Sequence, residues 1–415
     1  MFNFNGFEIN GSNTAGEAMA RQVALYHPWI YLKSGLERTL LELAKRSRHQ
    51  WTFYTSHYDS ENTYPDLKLY NIQEVNRVSV QREYRSVLNA AKTITQTVLP
   101  LEGKDLLVVS CDGLGSLITC RNRIPTINLC FTPLRAVYDE IYREHHLLQH
   151  AKKRWLALGF ESAFRIIDKL LWSRYQKIIS ISDCVKTRIV SANLASKEKI
   201  DVVYPGIDEK NIVASDVFES FFFLPGRIMW TKNIELAITA FRQFKNLTKH
   251  NFRLVIAGMV DEKSKPYFEK LKQLAGHSPD VIFCLNPDDA TLCDYYHRCY
   301  ATLFTAFNED LGLTPMEAMS HGKPVIAVNR GGPREVIVHG ETGLLMPADE
   351  NAFALAMEQL VSHQARARAL GHAGLERVKQ FTWEKFVSKM DDVVDRVTGE
   401  TENLSKRSMK DDVLT

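Results

Sequence analysis

Apolar residues in this chain gather in short unbroken blocks, not in an alternating pattern. The blocks fall at residues 23–26, 51–55, 106–110, 127–130, 177–182 and 200–203, and again at 221–224, 254–258, 281–284, 301–304 and 324–328. Short apolar runs bounded by Gly, Pro, Asn or Asp fit strands buried on both faces, as in a parallel sheet. Between the blocks, apolar residues recur at helical spacing over 36–45, 183–191 and 233–245. Such strand–helix alternation predicts doubly wound α/β architecture. A last amphipathic helix is predicted over 383–397. Residues 399–415 are polar and are expected to be disordered.

Local signals place candidate chemistry at the ends of these elements. Ser34 and Glu37 form a capping box at the start of the first helix, and Gly35 there lets a ligand approach the backbone. An ordinary turn glycine fits the same residue. Further on, Glu309 follows the strand block 301–306, and Glu317 lies one turn into a short helix. Thr314 is expected to cap that helix, Pro315 to open it, and Thr314 with Glu317 to complete a capping box; Gly322 ends it. Free N–H groups at a helix N-terminus attract anions. A carboxylate beside an anion site suggests hydroxyl recognition. Taken singly, Glu317 reads as a capping residue and Glu309 as a solvated loop acid.

Composition narrows the class. The 415 residues suffice for two ordinary domains, and a net charge of +3 gives no case for nucleic acid. No apolar run approaches the ~18 residues of a spanning helix. Residues 1–17 lack the basic start and apolar core of a signal peptide. The seven cysteines include no C-x-x-C pair, which fits reduced thiols in a cytoplasmic protein. Residues 140–177 are basic and aromatic at helical spacing. They fit helices packed on the domain core, and also a peripheral segment lying on the inner face of a membrane.

The stretch 303–347 carries a longer pattern: Glu309, Glu317, Gly322, Pro324, Gly331, Gly332, Glu335, Gly340, Gly343 and Leu345. It resembles the signature of the GT4-type retaining glycosyltransferases. Their GT-B fold has two Rossmann-like doubly wound domains facing across a cleft. Residues 204–208, Tyr-Pro-Gly-Ile-Asp, resemble the family's interdomain linker. The resemblance therefore divides the chain into an acceptor-side domain, 1–205, and a nucleotide-sugar donor domain, 206–382. A helix over 383–398 would cross back to the first domain, followed by the tail 399–415. Gly226, Arg227 and Lys232 match the family's G-R-x-x-x-x-K motif. A planar guanidinium fork, a mobile ammonium and a close-approach glycine suit a diphosphate.

The resemblance implies transfer of a sugar from a nucleotide-diphosphate sugar to a saccharide or lipid-linked acceptor. Glu309 would be the catalytic carboxylate facing the donor sugar. Arg227, Lys232 and the Leu313 and Thr314 amides would hold the diphosphate, and Glu317 the ribose; Gly35 would face the donor. No cofactor or metal is expected, because no D-x-D pair is present. Residues 130–139 resemble a mannosyltransferase branch, which favours GDP-mannose over UDP-sugars. They place Arg135 and Asp139 on the acceptor side, but Phe131 stands where that branch has His. This departure motivates one alternative, a catalytically weak sugar-nucleotide-binding protein. Gly113 and Gly115 motivate another, a nucleotide-dependent oxidoreductase, although Ile118 breaks their dinucleotide fingerprint.

Overall fold

The computed structural model describes residues 20–81, 83–111, 113–149 and 154–413. The stretch 1–17, read above for a signal peptide, lies outside the described residues. The apolar blocks form two wholly parallel sheets. The first takes β1 (Gln22–Tyr26), β2 (Gln50–Thr55), β3 (Ile72–Glu74), β4 (Leu106–Cys111), β5 (Thr126–Cys130), β6 (Lys177–Ser180) and β7 (Ile200–Val202) in the order β3-β2-β1-β4-β5-β6-β7. The second takes β8 (Phe221–Pro225), β9 (Arg253–Gly258), β10 (Val281–Leu285), β11 (Ala301–Phe304), β12 (Val325–Val328) and β13 (Leu344–Met346) in the order β10-β9-β8-β11-β12-β13. β1, β5, β8, β11 and β12 are buried almost throughout, which is why their sequences show no alternation.

Each sheet reverses its strand order once, between β1 and β4 and between β8 and β11. The crevice beyond the carboxyl ends of the strands at such a switch point is where open α/β sheets bind ligands. The two crevices face each other. A Cβ built on Gly35, the first residue of the helix Gly35–Arg46, would stand 3.2 Å from the Leu313 side chain of the second domain.

The chain passes between domains twice, at adjacent points. Ile207 N donates to the Phe381 carbonyl (3.1 Å), and Trp383 N donates to the Ile207 carbonyl (3.0 Å). The helix Trp383–Val413 then lies on the first domain, where Trp383, Phe386, Met390 and Val394 join Val23, Leu25 and Leu40 in one core. Asp391 accepts the Arg48 amide at 3.0 Å. Residues 399–413, expected to be disordered, continue this helix instead. Gly399 costs only ~1 kcal/mol against Ala in a helix interior, and no proline follows it. Polarity alone does not break a helix anchored along its preceding turns.

Candidate active site

The second domain supplies a cationic turn. β8 ends at Pro225, and Gly226, at φ +134°, bends the chain back so that its amide reaches the Ala257 carbonyl (2.9 Å). Arg227 is exposed, and a short turn over Trp230–Lys232 brings Lys232 inward. Lys232 Nζ pairs with Glu309 Oε2 at 2.5 Å. Two hydrogen bonds to backbone carbonyls tie the same two loops together: Thr305 Oγ1 donates to the Lys232 carbonyl (2.8 Å) and Phe307 N to the Thr231 carbonyl (3.1 Å). Burial pushes the Glu309 carboxyl up, but Lys232, Arg135 and Arg227 outweigh it and hold it below the usual carboxylate range.

The Glu309 loop rests on the Gly331–Gly332 turn. A Cβ on Gly331 would stand 2.4 Å from the Glu309 carbonyl oxygen, and one on Gly332 only 2.2 Å from Leu311 Cα. Gly332 N donates to that Glu309 carbonyl at 2.8 Å. Only glycines let the loops touch. The short helix that follows spans Leu313–Ser320. Its N-cap is Gly312, at φ +103° and without a side-chain cap, so the expected Thr314 cap is corrected. Thr314 and Pro315 lie within the first turn. As residues of the first turn, Leu313 and Thr314 present amides that no preceding helical turn can pair, four and five residues along the chain from Glu309.

Glu317 is not half of a capping box either. Its Oε2 accepts from the Tyr296 hydroxyl at 2.6 Å, and the side chain opens into the cleft. Desolvation within the cleft pushes its carboxyl pKa up, and burial pushes the Tyr296 phenol up as well. Across the cleft stands Tyr64, its phenol pushed up to about 12 by burial against the lowering charge of Arg38, with Glu317 and Glu37 adding to the rise. The Arg38 guanidinium lies 5.8 Å from the Tyr64 ring centre. Ser34 caps the first helix through the Leu36 amide (3.3 Å), while Glu37 reaches back to the Leu32 amide (3.2 Å).

The first domain meets the Glu309 loop through Arg135 and Asp139. Arg135 pairs with Asp310 and donates to the Asn308 carbonyl at 2.8 Å. Asp139, expected on the acceptor side, is buried in this seam, accepting from Arg188 (3.2 Å) and Asn308 (2.7 Å). Arg188 also pairs with Asp310. Phe131 packs against the first domain's core. Beside the seam, His145 stacks on Trp230 of the cationic turn with ring centres 3.8 Å apart. The structure thus gathers Gly226, Lys232, Glu309, Leu313 and Thr314 at one edge, with Arg227, Glu317 and Gly35 around it. Tyr296, Asp310 and Arg188 went unread in the sequence. Only Asp310, next to Glu309, carried a local signal.

Gly113 and Gly115 lie where β4 meets a 3-10 turn, Leu114–Cys120, and no α-helix N-terminus follows to receive a pyrophosphate. That removes the basis for the oxidoreductase alternative.

Two parallel doubly wound sheets facing across a cleft lined by cations and acids define a GT-B-type glycosyltransferase. The chain belongs to the glycosyl transferase group 1 family, on its mannosyltransferase branch. The model of that family, "Glycosyl transferases group 1", matches residues 208–377. The mouse alpha-1,3/1,6-mannosyltransferase ALG2 is 31% identical over 322 residues, covering 71% of this chain and 74% of the mouse protein. The ALG2 of Saccharomyces cerevisiae is 25% identical over 82% of this chain and 77% of its own length. For the Rhizomucor pusillus ALG2, at 30% identity, the match spans 39% of this chain and 42% of that protein. Among solved structures, Anabaena HepE in complex with UDP and glucose superposes with a TM-score of 0.71 at 17% identity, covering 91% of this chain and all of that one. The sucrose-phosphate synthase of Thermosynechococcus elongatus gives 0.72 at 18%, covering 92% and 100%. Both share the fold. The enzyme is therefore a glycosyltransferase. Among the described residues no helix is long and apolar enough to cross a membrane.

Proposed function

We propose that this enzyme transfers mannose from GDP-mannose, with retention and without a metal, to an acceptor presented at the inner face of a membrane. The Lys232–Glu309 pair beside an uncapped helix N-terminus is the observation that carries the reading. Lys232 neutralises Glu309 through their ion pair. An incoming diphosphate offers Lys232 a stronger partner and takes it over, together with Arg227 and the Leu313 and Thr314 amides. Glu309 then faces the donor sugar as an ionised carboxylate. Glu317, oriented by Tyr296, takes the ribose hydroxyls. As the glycosidic bond to phosphate lengthens, charge grows on the leaving diphosphate and on the sugar as an oxocarbenium-like centre. The cations and amides stabilise the first, and Glu309 the second. The ALG2 relatives' mannosyl activity supports the choice of sugar.

The membrane part rests on a different face. The helix Arg154–Trp172 exposes Trp155, Ile166 and Leu170 on one stripe, at 72%, 66% and 65% of their full areas. Leu148 on the neighbouring helix is 66% exposed. Arg154, Lys169 and Arg174 are exposed around the stripe, and the helix's acids, Glu161 and Asp168, are turned inward to protein partners. An apolar stripe edged by cations matches an anionic lipid surface. The chemistry is tested by proton NMR of freshly formed product. Retention of the donor's α-configuration supports the reading, and an inverted anomer removes it.

A further inference from the structure

We propose that Asp310 is a positioning residue that holds Glu309 in its working place only while the two domains are closed. The inference rests on the proposed role of Glu309 and adds a neighbour to which that role assigns nothing. Asp310 follows Glu309 directly, yet its contacts lie in the other domain. Its carboxylate takes Arg135 on one oxygen and Arg188 on the other. Its carbonyl accepts from Ser182 Oγ at 2.5 Å, at the start of the helix Asp183–Ser191. On the other side of Glu309, Asn308 gives its side chain to Asp139 and its carbonyl to Arg135. Glu309 is thus flanked on both sides by residues pinned to the first domain, while its own carbonyl is held by Gly332 of the second.

The charges make this seam conditional. Arg135 and Arg188 are 13% and 8% exposed, and Asp139 is fully buried. Burial disfavours both guanidiniums, but Asp310 more than compensates. Without Asp310, Arg188 would keep Asp139 as its one carboxylate partner and Arg135 would keep only the Asn308 carbonyl and the nearby charge of Glu309, and the easiest relief is to open the cleft to water. Glu335 of the second domain closes the same seam farther along, accepting the Asp183 and Cys184 amides at 2.8 and 2.7 Å. Opening releases these contacts together, and Glu309 loses the neighbours that fix it. A catalytic carboxylate displaced by ~1 Å loses turnover on the order of 100-fold.

The test compares Asp310→Asn, Asp310→Glu and Arg188→Gln with the unaltered protein. Turnover is read as GDP release from GDP-mannose, and affinity as the Kd of GDP alone. Asp310→Asn is expected to lose ~100-fold in kcat while the Kd of GDP stays within ~3-fold, because no phosphate contact is touched. Asp310→Glu keeps the charge and should recover at least ~10-fold. Arg188→Gln, made in the other domain, should show the same split. Hydrogen exchange without nucleotide gives a readout independent of the donor. The amides of Asp183 and Cys184 should exchange ~10-fold faster in Asp310→Asn, while the strand amides of β8 and β11 stay protected. Equal losses in kcat and GDP affinity, or unchanged exchange at Asp183 and Cys184, would overturn the inference. If Glu309→Gln abolishes turnover and Asp310→Asn does not, only the positioning role falls. If Glu309→Gln turns over normally, the proposed role of Glu309 falls with it.

Discussion

Glu309 and Lys232 are each about a quarter exposed and hold each other at the cleft edge. Their roles in the reaction diverge, and so should their variants. Glu309→Gln should lower turnover by ~100- to 1000-fold, the loss typical of removing one transition-state electrostatic contact. Its affinity for nucleoside diphosphate should hold or improve, because Lys232 is freed; titration calorimetry with GDP checks this. Lys232→Ala leaves Glu309 with only the more distant charges of Arg135 and Arg227 and should destabilise the ligand-free protein by on the order of 1 kcal/mol. Arg227 is exposed, so Arg227→Ala should leave the ligand-free melting temperature unchanged. The motif that carries both cations after a strand was legible in the sequence, but the Lys232–Glu309 partnership was not. The pair's sign with pH follows from the lowered Glu309 pKa. Its stabilisation is fully present above the ordinary Glu pKa of about 4.3 and is lost as pH falls through the lower folded value. Asp310 and Arg188 stayed hidden because 122 positions separate them along the chain.

At the level of elements, the strands were legible as unbroken apolar blocks because parallel sheets covered by helices bury both faces. β3 was not, since its Ile-Gln-Glu is only partly buried at an edge. The helix Tyr84–Gln96 was missed as well; Glu83 caps it with no side-chain bond. The cap of the helix Leu313–Ser320 was misread because a tertiary contact outranks local propensity. The glycine turn pressed on Leu311 requires left-handed backbone at Gly312, and that residue becomes the cap. Just before β12, Lys323 is fully buried, with Nζ donating to the Ser215 (3.3 Å) and Val217 carbonyls and lying 4.0 Å from the Phe218 ring centre. Burial lowers its pKa to about 8. Between that value and its ordinary 10.5 the unfolded chain binds the extra proton, so stability contributed here rises with pH over that window. The melting-temperature difference between wild type and Lys323→Met should shift toward wild type from pH 8 to pH 10; a constant difference would contradict the shifted ammonium. The exposed stripe of Arg154–Trp172 predicts sedimentation with anionic but not neutral vesicles, and release by salt. Replacing Trp155, Ile166 and Leu170 by Ser should abolish it, and failure of the wild type to sediment at low salt would remove the membrane face.

The whole molecule is two domains joined by adjacent crossings at Ile207 and Phe381 and clasped at the Glu309 loop, with Arg227, Lys232 and the Leu313–Ser320 helix on the second domain's side of the cleft. The central claim is that these cations and the amides at the start of that helix form a diphosphate site. A nucleoside diphosphate at ~100 times its Kd should stabilise the native state by ~2.7 kcal/mol. The most direct measurement is therefore the melting temperature with GDP and with GDP-mannose, in EDTA and in magnesium, for wild type, Arg227→Ala, Lys232→Ala and the double variant. The stabilisation should be equal in EDTA and magnesium and should fall in each single variant. The double variant should lose little more, because both side chains act on one diphosphate. Loss of the shift in EDTA, or a full shift retained by the double variant, would contradict the account.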